Sequence, residues 1–89
     1  MTKKYKIRIP KNIIDQDNAL SACEWWIGYA LLGLSLRLKR NNKNLVYDYD
    51  IKDEHWVITT ISDADIRTEM KEIIPKLKER IKDEAKKND

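Results

Sequence analysis

Hydrophobic and polar positions alternate over residues 3–9. Tyr5, Ile7 and Ile9 fall on one side, Lys4, Lys6 and Arg8 on the other. A period of two predicts a strand with one buried face, and Pro10 ends it. Residues 12–18 are mostly polar, and Asp15 or Asp17 is placed to cap the helix that follows to about Arg40. On that helix Ala19, Cys23, Trp26, Ala30 and Leu34 make one apolar stripe, and Ala22, Trp25, Tyr29, Leu32 and Leu36 make another. Only Ser21, Glu24, Gly28 and Ser35 interrupt them as a narrow small or polar strip. A helix apolar around so much of its circumference must be covered on more than one side.

After a loop over Asn41–Asn44, Leu45, Tyr47, Tyr49 and Ile51 alternate with Val46, Asp48 and Asp50 as a second strand. Lys52–His55 forms a hairpin loop, and Trp56–Ile61 reads as a third strand. Ser62, with Asp65 three residues on, is placed as the cap of a last helix. Ile66, Met70, Ile73, Leu77 and Ile81 give that helix its apolar stripe, and Pro75 should kink it or split it after Ile74. Residues 82–89 should fray. The order β-α-β-β-α predicts an α+β fold in one domain over residues 1–89. Its three-stranded sheet carries a long central helix and the C-terminal helix on one face. If the first two strands are parallel, the link between them is a right-handed crossover.

A chain of 89 residues has room for one small core. Its single cysteine, Cys23, cannot form an intrachain disulfide and, without a cationic neighbour, reads as a small core side chain. The N-terminus lacks the apolar run of a secretory signal, so a cytoplasmic location is expected. Trp25–Leu36 is uncharged and followed by Arg37, Lys39, Arg40 and Lys43, as a positive-inside flank would be. That run is only 12 residues long, short of the roughly 20 a bilayer requires, so a core helix is the better reading and no membrane partner is expected.

Charge changes the picture most. The formal net charge of +3 hides strong local blocks. Lys3, Lys4, Lys6, Arg8 and Lys11 stand in the first twelve residues without an acid, and Arg37, Lys39, Arg40 and Lys43 crowd the end of the long helix. If the helix runs back along the first strand, Lys3 and Lys4 meet Arg37, Lys39, Arg40 and Lys43 at a basic pole. Asp15, Asp17, Asp53 and Glu54 gather at the other end. Such a pole could receive nucleic-acid phosphate or an acidic protein surface. The bland alternative is that these charges complement the helix dipole, with Lys4, Lys6 and Arg8 pairing across the sheet to Asp48 and Asp50.

Catalytic chemistry finds little support. Asp50-Ile51-Lys52 has the carboxylate-x-Lys order of metal-dependent nucleases, but such a site needs an acid from another element as well. His55 reads as a turn residue. There is no Gly-rich phosphate loop, no nucleophile–His–acid set and no paired Cys/His spacing. The expectation is therefore no enzyme, no cofactor, no metal and no small-molecule ligand. Three Trp and four Tyr are many for this length. Trp25 and Trp26 point about 100° apart on a helix, so one could face the core and one a partner, but burial of both in the core is the slightly favoured reading.

The leading expectation is a non-enzymatic protein-binding domain, acting on another protein or on itself as a homodimer. Its contacts are Trp25, Trp26 and Tyr29 with the bases Lys3, Lys4, Lys6, Arg8, Arg37, Lys39, Arg40 and Lys43. Lysine exceeds arginine 13 to 5, with abundant Ile and Asn, the signature of an AT-rich genome. A phage or mobile element encoding an inhibitor of a host nucleic-acid enzyme or defence system fits that signature. Direct nucleic-acid binding is the second reading. Membrane association and a small metal nuclease come after both.

Overall fold

A computed structural model describes residues 2–87. The fold is α+β: β1 (Thr2–Arg8), a one-turn α1 (Lys11–Ile14), α2 (Asp17–Arg40), β2 (Leu45–Lys52), β3 (His55–Ser62) and α3 (Arg67–Lys87). The strands form one sheet in the order β1-β3-β2, with β3 antiparallel to both neighbours. β1 and β2 are therefore parallel, which meets the condition for a crossover, and the chain passes between them through α1 and α2.

Helices cover one face of the sheet. Ile7, Ile9, Leu45, Trp56, Ile58 and Thr60 point into that layer and are buried, while Lys4, Lys6, Arg8, Val46, Asp48 and Asp50 face outward and are exposed. The helices contribute Ile13, Ala19, Cys23, Ile27, Leu31, Leu34, Leu38, Met70, Leu77 and Ile81 to the same core.

Several local expectations change. Gln16, not Asp15 or Asp17, holds the N-cap position of α2, and it makes no side-chain cap bond; Asp17 instead lies in the first turn, where an acid favours the helix dipole. Polar residues around 12–18 hid α1, whose Ile13 is completely buried. Ser62 belongs to β3 and does not cap α3. Its hydroxyl donates to the Asn44 carbonyl (3.0 Å) and accepts the Ala64 N–H (3.0 Å), so it ties the strand end to the β2 approach. Asp65 receives the Arg67 N–H (3.1 Å) at the start of α3.

α3 runs unbroken through Pro75 to Lys87, so the helix is not split and residues 82–87, expected to fray, are helical; residues 88 and 89 lie outside the described range. Asn12 on α1 donates its side-chain N–H to the Ala85 carbonyl and so fastens the end of α3. The hairpin is tighter than expected, because Lys52 and His55 pair in the ladder and only Asp53 and Glu54 turn. Both have positive φ (52° and 60°), as a type I′ turn requires. The His55 ring Nδ1 donates to the Asp53 carbonyl (2.7 Å) within that turn. α2 ends on Asn42 at φ 59°, with Lys43 N–H bonded to the Leu38 carbonyl and Asn42 N–H to Lys39, which is a Schellman cap built on Asn.

Candidate functional site

The candidate site is the outer side of α2. The core takes Ala19, Cys23, Ile27, Leu31, Leu34 and Leu38 from this helix, a stripe centred roughly opposite the expected second one. Ile27, Leu31 and Leu38 were absent from the expected stripes; Trp26 and Ala30 were included but are only half-buried at its border. With the core satisfied by those residues, Trp25, Tyr29, Leu32 and Leu36 are left to solvent, 64%, 59%, 44% and 51% exposed. Four large apolar side chains in one row are more than a scatter of exposed residues, and such patches mark interaction surfaces.

The row is ordered by its own contacts. The Trp25 and Tyr29 rings lie 4.9 Å apart, and Trp25 meets Trp26 edge-on at 6.1 Å. Toward α3, Trp26 is capped by the Arg80 guanidinium 4.2 Å above its ring, and Ala30, Ile73 and Leu77 continue the groove. Toward β2, Tyr47 and Tyr49 flank Trp25, Gly28 and Leu32. Both flanks of the row are therefore shallow and mostly apolar. Against the slightly favoured reading, Trp25 and Trp26 are not both buried: Ile27 and Leu31 take the core-facing positions, which leaves Trp25 outward and Trp26 half-buried. Tyr29 is outward; Tyr47 and Tyr49 were not among the expected contacts, although their alternation in β2 had placed them on the helix-facing side.

Lys3 and Lys4 share an end of the molecule with the bases that close α2, but not one surface, and Arg8 lies at the other end, opposite His55 beside the hairpin. β1 starts level with the end of β3, and the end of α2 leads to the start of β2 at that same edge. There the resemblance to a pole stops. Lys4, Lys6 and Arg8 stand on the bare outer face of the sheet, whereas Lys3 points to the helix side among Tyr5, Thr60, Asp65 and Arg67. Arg37, Lys39, Arg40 and Lys43 belong to the far end of α2 and its loop. Asp63 and Asp65 occupy the same edge. Arg67 is committed to Asp65 through Nε and Nη2 (3.0 and 2.7 Å), and this pair holds the Asp65 carboxyl down at about 2.

The expected cross-sheet ion pairs do not form. β3 lies between the bases of β1 and the acids of β2: Lys4 and Asp48 are both opposite Thr59, Lys6 and Asp50 both opposite Val57. Two strand spacings, about 10 Å, separate such groups. Asp48 and Asp50 instead accept the N–H groups of Tyr49 (2.9 Å) and Ile51 (2.8 Å) beside them.

Other chemistry is sparse. Among the described residues no three Asp, Glu, His or Cys side chains converge as a metal site requires. Cys23 is fully buried, and burial, with the Glu84 and Glu24 charges, pushes its thiol up to about 11. By length and composition α2 is apolar enough to cross a membrane; in this fold its Ala19–Leu38 stripe is packed into the core. No family model, curated protein or solved structure matches this chain.

Proposed function

We propose that this chain is a non-enzymatic protein-binding module that docks through the outer face of α2. One observation carries the reading: Trp25, Tyr29, Leu32 and Leu36 stand exposed in a continuous row while a separate stripe of the same helix fills the core. In isolation this row leaves much of its apolar surface in water, and covering it removes that area from solvent. Trp and Tyr at the head of the row are the residue types that anchor protein interfaces. Nucleic acid suits this face less well, since its four central side chains carry no cation and the bases are spread over other surfaces. An inhibitor acting on a larger protein, as the composition suggests, is one form such a module takes.

The test is contact mapping in the producing cell. A photo-cross-linking phenylalanine replaces Leu32, and in a second version Thr59, which lies on the outer face of the sheet. Polypeptide adducts that form from position 32 and not from 59 support docking through α2. Adducts absent at 32, or equally abundant at both positions, overturn it.

A further inference from the structure

The geometry points to a second copy of this chain as the occupant of the α2 face, its own α2 running antiparallel across a two-fold axis between Tyr29 and Leu32. This rests on reading that face as a docking surface and adds the partner.

Spacing comes first. Trp25, Tyr29, Leu32 and Leu36 follow one another at intervals of 4, 3 and 4, with Ala22 three residues before, which is the a/d repeat of a two-helix seam. A lone helix on a small domain does not need that repeat on its solvent side. In an antiparallel pair each a position meets a d position, so Tyr29 packs on the partner's Leu32 and Trp25 on the partner's Leu36. Each large ring is thus matched with a leucine, and the two-fold repeats the match.

Charge selects the direction. α2 begins with Asp17 and Glu24 and ends with Arg37, Lys39 and Arg40. Projected around the helix, Asp17, Glu24 and Lys39 lie on the same flank of the row. Antiparallel pairing brings Lys39 to the partner's Glu24 and Asp17, and it opposes the two helix dipoles favourably. Parallel pairing would stack the three bases of one copy on those of the other.

The third observation is Gly33. It lies exposed beside the row, and a β-carbon there would meet nothing within 4 Å. Glycine within a helix is unfavourable relative to alanine, and nothing in the chain itself requires it here. In the antiparallel pair Gly33 faces the partner's Trp26 across the seam, where a missing side chain lets the backbones approach.

Sedimentation equilibrium of the full chain should give twice 10.6 kDa, and Leu32→Asp with Leu36→Asp should restore the single-chain mass without changing the circular dichroism. Gly33→Leu, although it adds apolar surface, should weaken association about tenfold by wedging the helices apart. Direction is read by exposed cysteines. With a rise of about 1.5 Å per residue, Ser21→Cys and Lys39→Cys on different chains come level, whereas identical positions stay about 25 Å or more apart. A mixture of the two variants should therefore cross-link as a mixed dimer, and neither alone. Cross-linking by Lys39→Cys alone would mean parallel helices and overturn the proposal. A single-chain mass at all concentrations also overturns it. In that case, adducts from position 32 to a different protein would leave the docking reading standing, and no adducts would remove both.

Discussion

The Tyr49 hydroxyl lies 2.9 Å from where a β-carbon on Gly28 would stand, so the middle of α2 rests against β2 through a residue with no side chain. Here glycine is explained by the fold. Replacing it with alanine should gain about 1 kcal/mol of helix propensity, and the displaced hydroxyl should cancel most of that gain. Tyr49→Phe removes the obstacle. The pair of substitutions should therefore be more stable than the sum of the single ones by roughly 0.5–1 kcal/mol, read from urea unfolding of the four proteins. A full gain from Gly28→Ala alone would mean that the hydroxyl moves aside freely.

The three tryptophans should separate in the same assay. Trp56 is completely buried on β3, and its indole N–H has no hydrogen-bond partner. Trp56→Ala should cost about 3–5 kcal/mol, the range for a large ring removed from a core. Trp25, mostly exposed, should cost under about 1 kcal/mol on conversion to alanine at dilutions where the chain is unpaired. Trp26, half-buried under Arg80, should fall between. Equal losses at positions 25 and 56 would show that the outer row of α2 supports the fold itself.

The strands and their facing were legible because period two survives a one-residue error badly: each inward residue of β1 and β3 is fixed by its neighbours. The long helix was legible in extent and not in orientation. With apolar residues at Trp25, Trp26, Ile27, Ala30, Leu31, Leu32, Leu34 and Leu36, several faces compete, and tertiary packing chose Ile27 and Leu31 over Trp26 and Ala30. The exposed row is one of two apolar stripes legible in the sequence, and composition cannot say which of the two the sheet takes. The surface on which each base falls was illegible for a different reason. Topology brings Lys3, Lys4 and Arg40 to one end, yet strand alternation sends Lys3 and Lys4 to opposite faces. The short α1 was hidden by its length: one turn has no period to read, and only its buried Ile13 marks it.

Asp65 provides a pH test. Hydrogen bonds from the Arg67 side chain and backbone hold its carboxyl at about 2, against 3.8 when unpaired. A carboxyl lowered in the folded state favours folding above the unfolded value, and that contribution is lost as the pH falls from about 4 toward 2. Carboxyl-carbon NMR should show Asp65 titrating below the ordinary carboxylate range, and Arg67→Ala should return it toward the ordinary value. A titration of Asp65 unchanged by Arg67→Ala would remove the pair as the cause.

The last expectation concerns the β2 edge of the sheet. β2 has β3 on one side only, so alternate backbone N–H groups face outward, where another strand could add. Those of Tyr49 and Ile51 are already taken by the carboxylates of Asp48 and Asp50. Each acid thus does two things at the edge: it occupies a donor, and it places a negative charge where an incoming strand would lie. Their outward setting and their separation from Lys4 and Lys6 leave no larger role in holding the sheet together. Asp50→Asn should therefore change stability by under about 1 kcal/mol, since the amide oxygen still accepts the Ile51 N–H. Asp48→Thr with Asp50→Thr keeps strand propensity but uncovers both donors and removes both charges. Folding should survive, and light scattering at high concentration should show growing assemblies rich in β-structure. Two-fold pairing through α2 would close after one partner, so open-ended growth in this variant alone identifies the β2 edge as its origin. A double variant as soluble as the parent would mean that the edge is protected by something other than these two side chains.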